Sequence, residues 1–376
     1  LLKENYVVRQ KSDRPFIFLL HPSIISEHAD VLHQFIEFVR MTGGECLSFD
    51  QYVHKMTAPS SARIAIEIDT RVPDLDIDTT IQDILNLDIT DVYLPVIEEK
   101  GDSVFDANEV RASNGHHQGD DLFTLLGKLK EEGIKIHASI PVLQNRALAS
   151  AKPEYAMADG NGTISATWLS PSHPQASRHL KEIIQTVLNA FEFDGIHLTH
   201  LYYPSLQYEY SLAELGRFKK DEELTFADED AVSVVPTDHY VNWVSWRSNQ
   251  ITNLAKTAAE TISNSGRTIE LSAALITEAL INFRYLESFG QDYRALSEYL
   301  DTIAVLPENG VPIEDNFSVP TIIANAHALI GSTTLMIGVP GGTSTNLKVV
   351  EKDAIIDSFV DVSYSGSGGI LLPPYD

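Results

Sequence analysis

The sequence predicts an α/β protein, a (β/α)8 TIM barrel preceded by a small βαβ N-terminal unit. Short apolar runs rich in β-branched residues alternate with amphipathic segments of helical period from residue 63 onward. Eight such runs occur, which is the number of parallel strands that closes a barrel. No glycine-rich phosphate turn follows the first run, and this disfavours the rival doubly wound open sheet.

The strands of the barrel are predicted from these eight apolar runs. In chain order they are Arg63–Asp69, Asp91–Val96, Lys135–Val142, Asp194–His200, Thr268–Ala274, Thr302–Leu306, Thr334–Val339 and Gly369–Leu372. The helices predicted between them include Thr79–Leu87, Asp121–Glu132, Pro174–Ala190, Tyr240–Ser263 and Tyr293–Leu300.

The first 58 residues lie outside this count and predict a separate unit. They consist of a strand at Phe16–Leu20, a helix at Glu27–Met41 and a short strand at Cys46–Phe49. The breaker-rich segment Met56–Ser61 is a joint between this unit and the barrel. We therefore expect two domains, residues 1–58 and 59–376.

Composition and charge exclude several classes of function. Acidic residues outnumber basic ones 53 to 27, a net charge of −26, so binding to nucleic acid or to an anionic membrane surface is not expected. Cys46 is the only cysteine, which excludes an intrachain disulfide and a thiolate metal site. No apolar stretch is long enough to span a bilayer. The segment around His116 and His117 is polar and contains nearby acids, but no predicted helix or strand fixes these side chains as ligands. A solvated loop is therefore favoured over a cation site, and we expect neither a metal nor another cofactor.

The long loops of the predicted barrel follow its second, third and fourth strands, at residues 98–120, 144–168 and 202–238. All three would lie at the carboxyl-end face, where barrel enzymes place their active sites. Candidate site residues are therefore sought at the carboxyl ends of the strands.

The segment Trp168–Pro204 (WLSPSHPQASRHLKEIIQTVLNAFEFDGIHLTHLYYP) and the helix start WVSWR at Trp243–Arg247 carry a family resemblance. They resemble a bacterial glycosyl-hydrolase-like barrel family of envelope proteins. Through SIPVL, LSP and FDGI, the chain is also similar to the hydrolase domain of poly-N-acetylglucosamine deacetylase/hydrolases. The resemblance implies a glycoside hydrolase that acts on an extracellular or cell-envelope polysaccharide, an exopolysaccharide containing amino sugars, and an extracytoplasmic location.

The N-terminal unit resembles the closing βα unit of polysaccharide (NodB-type) deacetylases, whose last motif is a strand ending Leu-x-His. By that resemblance His21 takes the place of the general acid, while a histidine that caps a structural joint is the alternative. The metal-binding residues of those enzymes lie earlier in their chains and have no counterpart here. Leu1–Asn5 lacks an initiator Met and a signal pattern. We therefore expect either an upstream deacetylase domain in a longer chain or a vestigial unit.

Glycosidic hydrolysis needs one protonated carboxyl to release the leaving oxygen and a second carboxylate to attack or to activate water. The pool at the strand ends also includes Glu67, Glu99 and Asp376. The candidates for catalysis are Asp69, Glu98, Asp194, Glu278 and Glu308. The position of Asp194 before Gly195 also fits a structural role at the amino end. The family resemblance expects an acid where this chain has Thr199, which implies that the chemistry has moved or been lost.

Substrate binding is predicted for an aromatic and histidine-containing cluster around the fourth strand. Its members are Trp168, His200, Tyr202 and Tyr203. Aromatic rings stack on the C–H faces of sugars, and a histidine can bind a hydroxyl or carry a proton. The alternative is that these rings close the top of the barrel. Two other functions stay open: an inactive barrel that binds polysaccharide, and the hydrolase half of a bifunctional deacetylase/hydrolase.

Overall fold

The computed structural model describes residues 63–68, 76–97, 118–225, 237–280, 283–306, 319–338 and 368–372, together with Val39 and Val235. The chain divides into two units, Leu1–Pro59 and Ser60–Asp376, and all the strands described below lie in the second. Only Val39 is described in the first unit. The βαβ unit, its limit at residue 58 and the role of His21 therefore stay predictions.

The predicted (β/α)8 barrel is confirmed: eight parallel strands in the described part of the chain close into a ring. They are β1 Arg63–Glu67, β2 Asp91–Pro95, β3 Lys135–Pro141, β6 Gly195–Thr199, β7 Glu270–Ile276, β8 Thr302–Leu306, β9 Thr334–Gly338 and β10 Gly369–Leu372. The ring runs β1-β2-β3-β6-β7-β8-β9-β10 and returns to β1. Between β3 and β6 the chain adds an antiparallel hairpin, β4 Ala156–Ala158 and β5 Ile164–Leu169.

Helices surround the ring. In chain order they are α1 Ile77–Asn86, α2 Gln118–Glu131, α3 Arg146–Ala151, α4 Pro174–Ala190, α5 Leu212–Asp221, α6 Tyr240–Asn264, α7 Phe283–Phe289, α8 Tyr293–Leu296 and α9 Val319–Ile330. Short 3-10 turns occupy Pro153–Tyr155 and Thr277–Leu280. No helix among the described residues is long and apolar enough to cross a membrane.

The start of α4 shows how sequence sets these boundaries. The Nδ1 atom of His173 accepts a hydrogen bond from the Gln175 amide, and Pro174 occupies the first helical position, where its missing N–H costs nothing. Leu180, Ile184 and Val187 then recur at helical spacing and are buried against the barrel. The helix therefore begins and faces inward as its sequence pattern requires.

The amino end of the barrel interior is filled by an ion-pair cluster. Arg63 donates to Asp91 Oδ1 and to Glu270 Oε1, each at 2.6 Å, and His137 Nε2 lies 2.9 Å from the same oxygen of Asp91. Burial alone would raise the pKa of Asp91, but hydrogen bonds from His137 and Arg63 outweigh burial and hold it well below its usual range. Gly195 leaves the space that the His137 ring occupies, since a Cβ there would overlap the ring. This end is a packed structural plug.

Above the plug lies an apolar interior cluster formed by Ala65, Tyr93, Ala304, Met336 and Leu371. All five side chains are buried. Because side chains alternate between the two faces of a strand, residues two positions further along β1, β8 and β9 also point into the barrel. The cluster therefore separates the amino-end plug from the carboxyl-end mouth.

Candidate functional site at the carboxyl end of the barrel

Side-chain alternation along the strands sets the floor of the mouth. Four interior positions, each two residues beyond a lower interior residue of its own strand, form this floor: Glu67, Ser139, Ala274 and Gly338. Each is also the register partner of an interior residue on a neighbouring strand. Three of the four are small, and Glu67 is the one ionisable side chain among them. Glu67 and Ala274 are partly exposed, whereas Ser139 and Gly338 are buried. The floor therefore carries a partly exposed carboxylate on its β1 side.

The described acid on the β7 side is Glu278. It lies in the 3-10 turn directly after β7 and is partly exposed. Burial raises the pKa of Tyr293 well above its usual value, and the negative charge of Glu278 raises it further. The Tyr293 hydroxyl donates to the Ile276 carbonyl at 3.0 Å, which fixes the end of β7. Glu278 is thus held at the predicted face.

Three predicted catalytic residues, Asp69, Glu98 and Glu308, lie outside the described residues. The structure places Asp194 at the other end of the barrel. Its Oδ2 atom accepts a hydrogen bond from the Ile136 amide at 2.9 Å, and its own amide donates to the Ile136 carbonyl at 2.8 Å. These bonds join the chain before β6 to β3. The structure therefore does not bring Asp194 together with Glu278.

Three of the four predicted substrate-binding residues form one wall of the mouth. The ring of Trp168 lies 5.3 Å from that of Tyr202 and 5.9 Å from that of His200, measured between centroids. Phe289 supports the wall without lining the mouth, because its side chain is 3% exposed and its ring packs edge-on against Tyr202 at 5.8 Å. We call Trp168, His200, Tyr202 and Phe289 the aromatic wall. Phe289 was missed by sequence reasoning because it ends a short helix far along the chain.

His200 is held in this wall as a neutral imidazole. Its backbone adopts a positive φ of 51°, and its Nδ1 atom lies 3.2 Å from the Thr199 hydroxyl oxygen. Burial lowers its pKa to about 4. At neutral pH this residue is therefore suited to exchange a hydrogen bond with a sugar hydroxyl rather than to carry a positive charge.

Tyr203, the fourth predicted binding residue, faces the protein interior. Its side chain is 0% exposed, and its hydroxyl donates to Glu214 Oε1 at 3.4 Å. The guanidinium of Arg247 lies 4.1 Å from the centre of its ring. The neighbouring residues Tyr202 and Tyr203 thus separate, one to the mouth and one to the core.

A buried carboxyl pair, Glu209 and Glu214, supports the loop that follows β6. Glu209 accepts hydrogen bonds from the Ala158 amide and the Ser211 hydroxyl, which link this loop to the hairpin. Burial, with a further contribution from the charge of Glu214, raises the pKa of Glu209 to about 8. Sequence reasoning did not predict the pair. The spacing Ser211-x-x-Glu214 is that of a helix capping box, a pattern that gives no sign of burial.

Glu214 has a dense set of donors. Its Oε2 atom accepts hydrogen bonds from the hydroxyls of Ser170, at 2.9 Å, and Ser172, and Arg217 lies 3.4 Å away. Ser170 follows β5 directly, so these bonds tie the start of α5 to the chain that leads into α4. The buried carboxyl pair therefore holds the loop after β6 in place, and neither side chain is exposed at the mouth.

A barrel whose carboxyl-end mouth combines strand-end carboxylates with an aromatic wall defines a glycosidase-like class of protein. The model of the family Glycosyl hydrolase-like 10 matches residues 75–305, which is more than half of the chain. The chain belongs to that family. The predicted glycosyl-hydrolase-like barrel is therefore confirmed at the level of fold and family.

Solved structures of low sequence identity share this fold. The glycoside hydrolase domain of PgaB (BpsB) from Bordetella bronchiseptica matches with a TM-score of 0.61 and 16% identity, over 84% of this chain and 94% of that one. The catalytic domain of β-amylase from Paenibacillus polymyxa matches with a TM-score of 0.57 and 14% identity, over 84% and 93%. α-L-Fucosidase isoenzyme 2 from Paenibacillus thiaminolyticus matches with 0.53 and 12%, over 84% and 46%. None of the curated proteins searched matches the chain.

Proposed function

We propose that this protein is a glycoside hydrolase that cleaves an extracellular or cell-envelope polysaccharide containing amino sugars. The observation that carries the proposal is the position of Glu67 and Glu278 at the same end of the barrel as the aromatic wall. Membership of the Glycosyl hydrolase-like 10 family supports it. A sugar stacked on the wall would bring its glycosidic bond over the floor of the mouth.

The proposed chemistry uses two carboxyl groups. One, protonated, donates to the leaving oxygen, and the other attacks the anomeric carbon or activates water. Glu67 and Glu278 are the described candidates, and Asp69, Glu98 and Glu308 stay candidates by their predicted positions. Trp168 and Tyr202 would stack on the sugar faces, while neutral His200 orients a hydroxyl.

The amino-sugar substrate is supported by two features. The motif resemblance to poly-N-acetylglucosamine deacetylase/hydrolases indicates this class of polymer. The net charge of −26 would attract a polymer that bears free ammonium groups and repel an anionic one. We infer an extracytoplasmic location from the same resemblance, because such polymers lie outside the cytoplasm.

The test is the release of reducing ends from β-linked glucosamine and N-acetylglucosamine polymers. We expect Glu67→Gln and Glu278→Gln to lower kcat by about 100-fold or more while KM changes little, because each removes a proton donor or nucleophile. Glu98→Gln tests the predicted loop acid in the same way. Glu298→Gln is the matched control, since Glu298 is exposed beyond α8. Full activity in all three site variants would contradict the assignment.

A second function, polysaccharide binding without cleavage, is favoured by Thr199. A threonine supplies no carboxyl group at the position where the family resemblance expects an acid. Binding of the polymer with no reducing ends released over a full range of pH would support this function and exclude the first. A third proposal, the hydrolase half of a bifunctional deacetylase/hydrolase, is tested by reading the gene upstream of Leu1 for a Thr-Phe-Asp-Asp-Gly-like strand and a His-x-x-x-His helix.

A further inference from the structure

Arg247, in the second turn of α6, is a fully buried cation. The sequence pattern predicts that it caps a helix or pairs with an acid. In the described part of the chain its donors go instead to backbone carbonyls. Nη1 donates to the Glu287 carbonyl at 2.8 Å, and Nη2 donates to the carbonyls of Tyr208 at 2.5 Å, Ser288 at 3.2 Å and Ser205 at 3.5 Å.

These four carbonyls belong to two separate segments. Ser205 and Tyr208 lie in the loop after β6, and Glu287 and Ser288 lie in the last turn of α7. The planar guanidinium holds Nη1 and Nη2 in a fixed fork, so these two atoms can bond carbonyls of both segments at once. Arg247 therefore joins the loop after β6 to the end of α7.

Both segments are also packed around Tyr203. The Tyr203 amide donates to the Phe289 carbonyl at 3.1 Å, and the Arg247 guanidinium lies over the Tyr203 ring. A Cβ at Gly290, whose φ is +71°, would come within 3.0 Å of that ring. The junction is thus closely packed as well as hydrogen-bonded.

Both segments carry members of the aromatic wall. Tyr202 lies in the loop after β6, three residues before Ser205, and Phe289 directly follows the α7 carbonyls. The edge-on distance of 5.8 Å between their rings depends on how the two segments are joined. The contacts of Arg247 therefore fix how Tyr202 packs against Phe289, although the Arg247 side chain does not itself reach the mouth.

We infer that Arg247 is a positioning residue that holds Tyr202 against the buried Phe289 ring, in the position where Tyr202 can stack on a sugar ring. The inference rests on the proposed function for the identity of the ligand. The link that Arg247 makes between the two segments does not depend on the proposed function, and it can be measured separately from sugar binding.

The test compares Arg247→Lys and Arg247→Met with Arg63→Lys. Arg63 is a matched control because it is largely buried and ion-paired at the opposite end of the barrel. Hydrogen–deuterium exchange is measured at pH 7, and KM and kcat are measured with β-linked glucosamine oligomers at a temperature where each variant is fully folded by circular dichroism.

We expect faster exchange in Arg247→Lys at residues 203–210 and 287–290, with the β1–β3 amides unchanged. We expect KM to rise about tenfold or more with kcat nearly constant, because Tyr202 loses its position for stacking on the sugar while the carboxyl groups keep theirs. Arg247→Met should raise KM further, and Arg63→Lys should lower Tm without changing KM.

Unchanged exchange in the two segments would overturn the inference, as would faster exchange with wild-type KM. A wild-type protein that neither binds nor cleaves the oligomers refutes the proposed function and the sugar-binding part of the inference. In that outcome the exchange data still decide whether Arg247 joins the two segments.

Discussion

Glu209→Gln should reduce the pH dependence of folding stability. Glu209 is 0% exposed, and its pKa is raised from 4.5 to about 8 by burial and by the charge of Glu214. The folded state therefore holds a proton that the unfolded state has released, so stability falls as pH rises from 4.5 to about 8. The slope is at most about 1.4 kcal/mol per pH unit, and from pH 6.5 to 8 the loss is about 1.5 kcal/mol.

The buried histidines change stability in the opposite direction. Burial lowers the pKa of His179, His197 and His200, so these groups take up protons mainly in the unfolded state, and they increase stability as pH rises to about 7.5. Their contribution is the same in the wild type and in Glu209→Gln, so it cancels when the two proteins are compared at each pH. A glutamine at position 209 keeps an acceptor for the Ala158 amide but does not titrate.

The assay is urea unfolding of the wild type, Glu209→Gln and the exposed control Glu298→Gln at pH 6.5, 7, 7.5 and 8. We expect the free energy of unfolding of the wild type and of the control to fall relative to that of Glu209→Gln by about 1.5 kcal/mol from pH 6.5 to 8. The variant itself still titrates through Glu214, whose pKa is also raised by burial. Equal slopes in Glu209→Gln and the wild type would refute the reasoning.

Three further predictions concern other positions. Asp194→Ala should lower stability by about 1–2 kcal/mol through loss of its bond to the Ile136 amide while kcat is unchanged; a large loss of kcat at constant stability would place Asp194 in the chemistry. Gly195→Ala should lower stability by about 1–3 kcal/mol or prevent folding, because its Cβ would overlap His137; a wild-type Tm contradicts this packing. Trp168→Ala should raise KM for sugar oligomers about tenfold, and an unchanged KM would exclude it from the site.

The strands of the barrel were predictable because each is a short apolar run bounded by turns. Register was the part that sequence did not supply. β1 ends at Glu67 rather than at Asp69, and β7 begins at Glu270 rather than at Thr268. Since neighbouring side chains of a strand point to opposite faces, only the observed pairing of Glu67 with Tyr93 places Glu67 inside the barrel.

The arrangement of the candidate site was only partly predictable. Trp168, His200 and Tyr202 were expected to lie together because aromatic residues cluster around one predicted strand end, and their rings do pack together. Tyr203 follows Tyr202 in the same motif, and nothing local distinguishes the two. Its burial depends on Arg247, which lies on a helix more than forty residues away and packs on the Tyr203 ring. Such tertiary contacts have no signature in a single sequence.

Thr199 and Glu67 together favour the β1 side of the mouth as the place of the proposed catalytic carboxyl group. Thr199 shares the interior face of β6 with His197, so an acid there would have pointed into the mouth, as the family resemblance expects. Among the described floor residues the carboxyl group is on β1 instead, with small residues on β3, β7 and β9 leaving room around it. A carboxyl group on β1 instead of β6 would approach a bound sugar from a different side of the barrel. Glu67→Gln is therefore the variant that best separates an active enzyme with a relocated acid from a barrel that only binds.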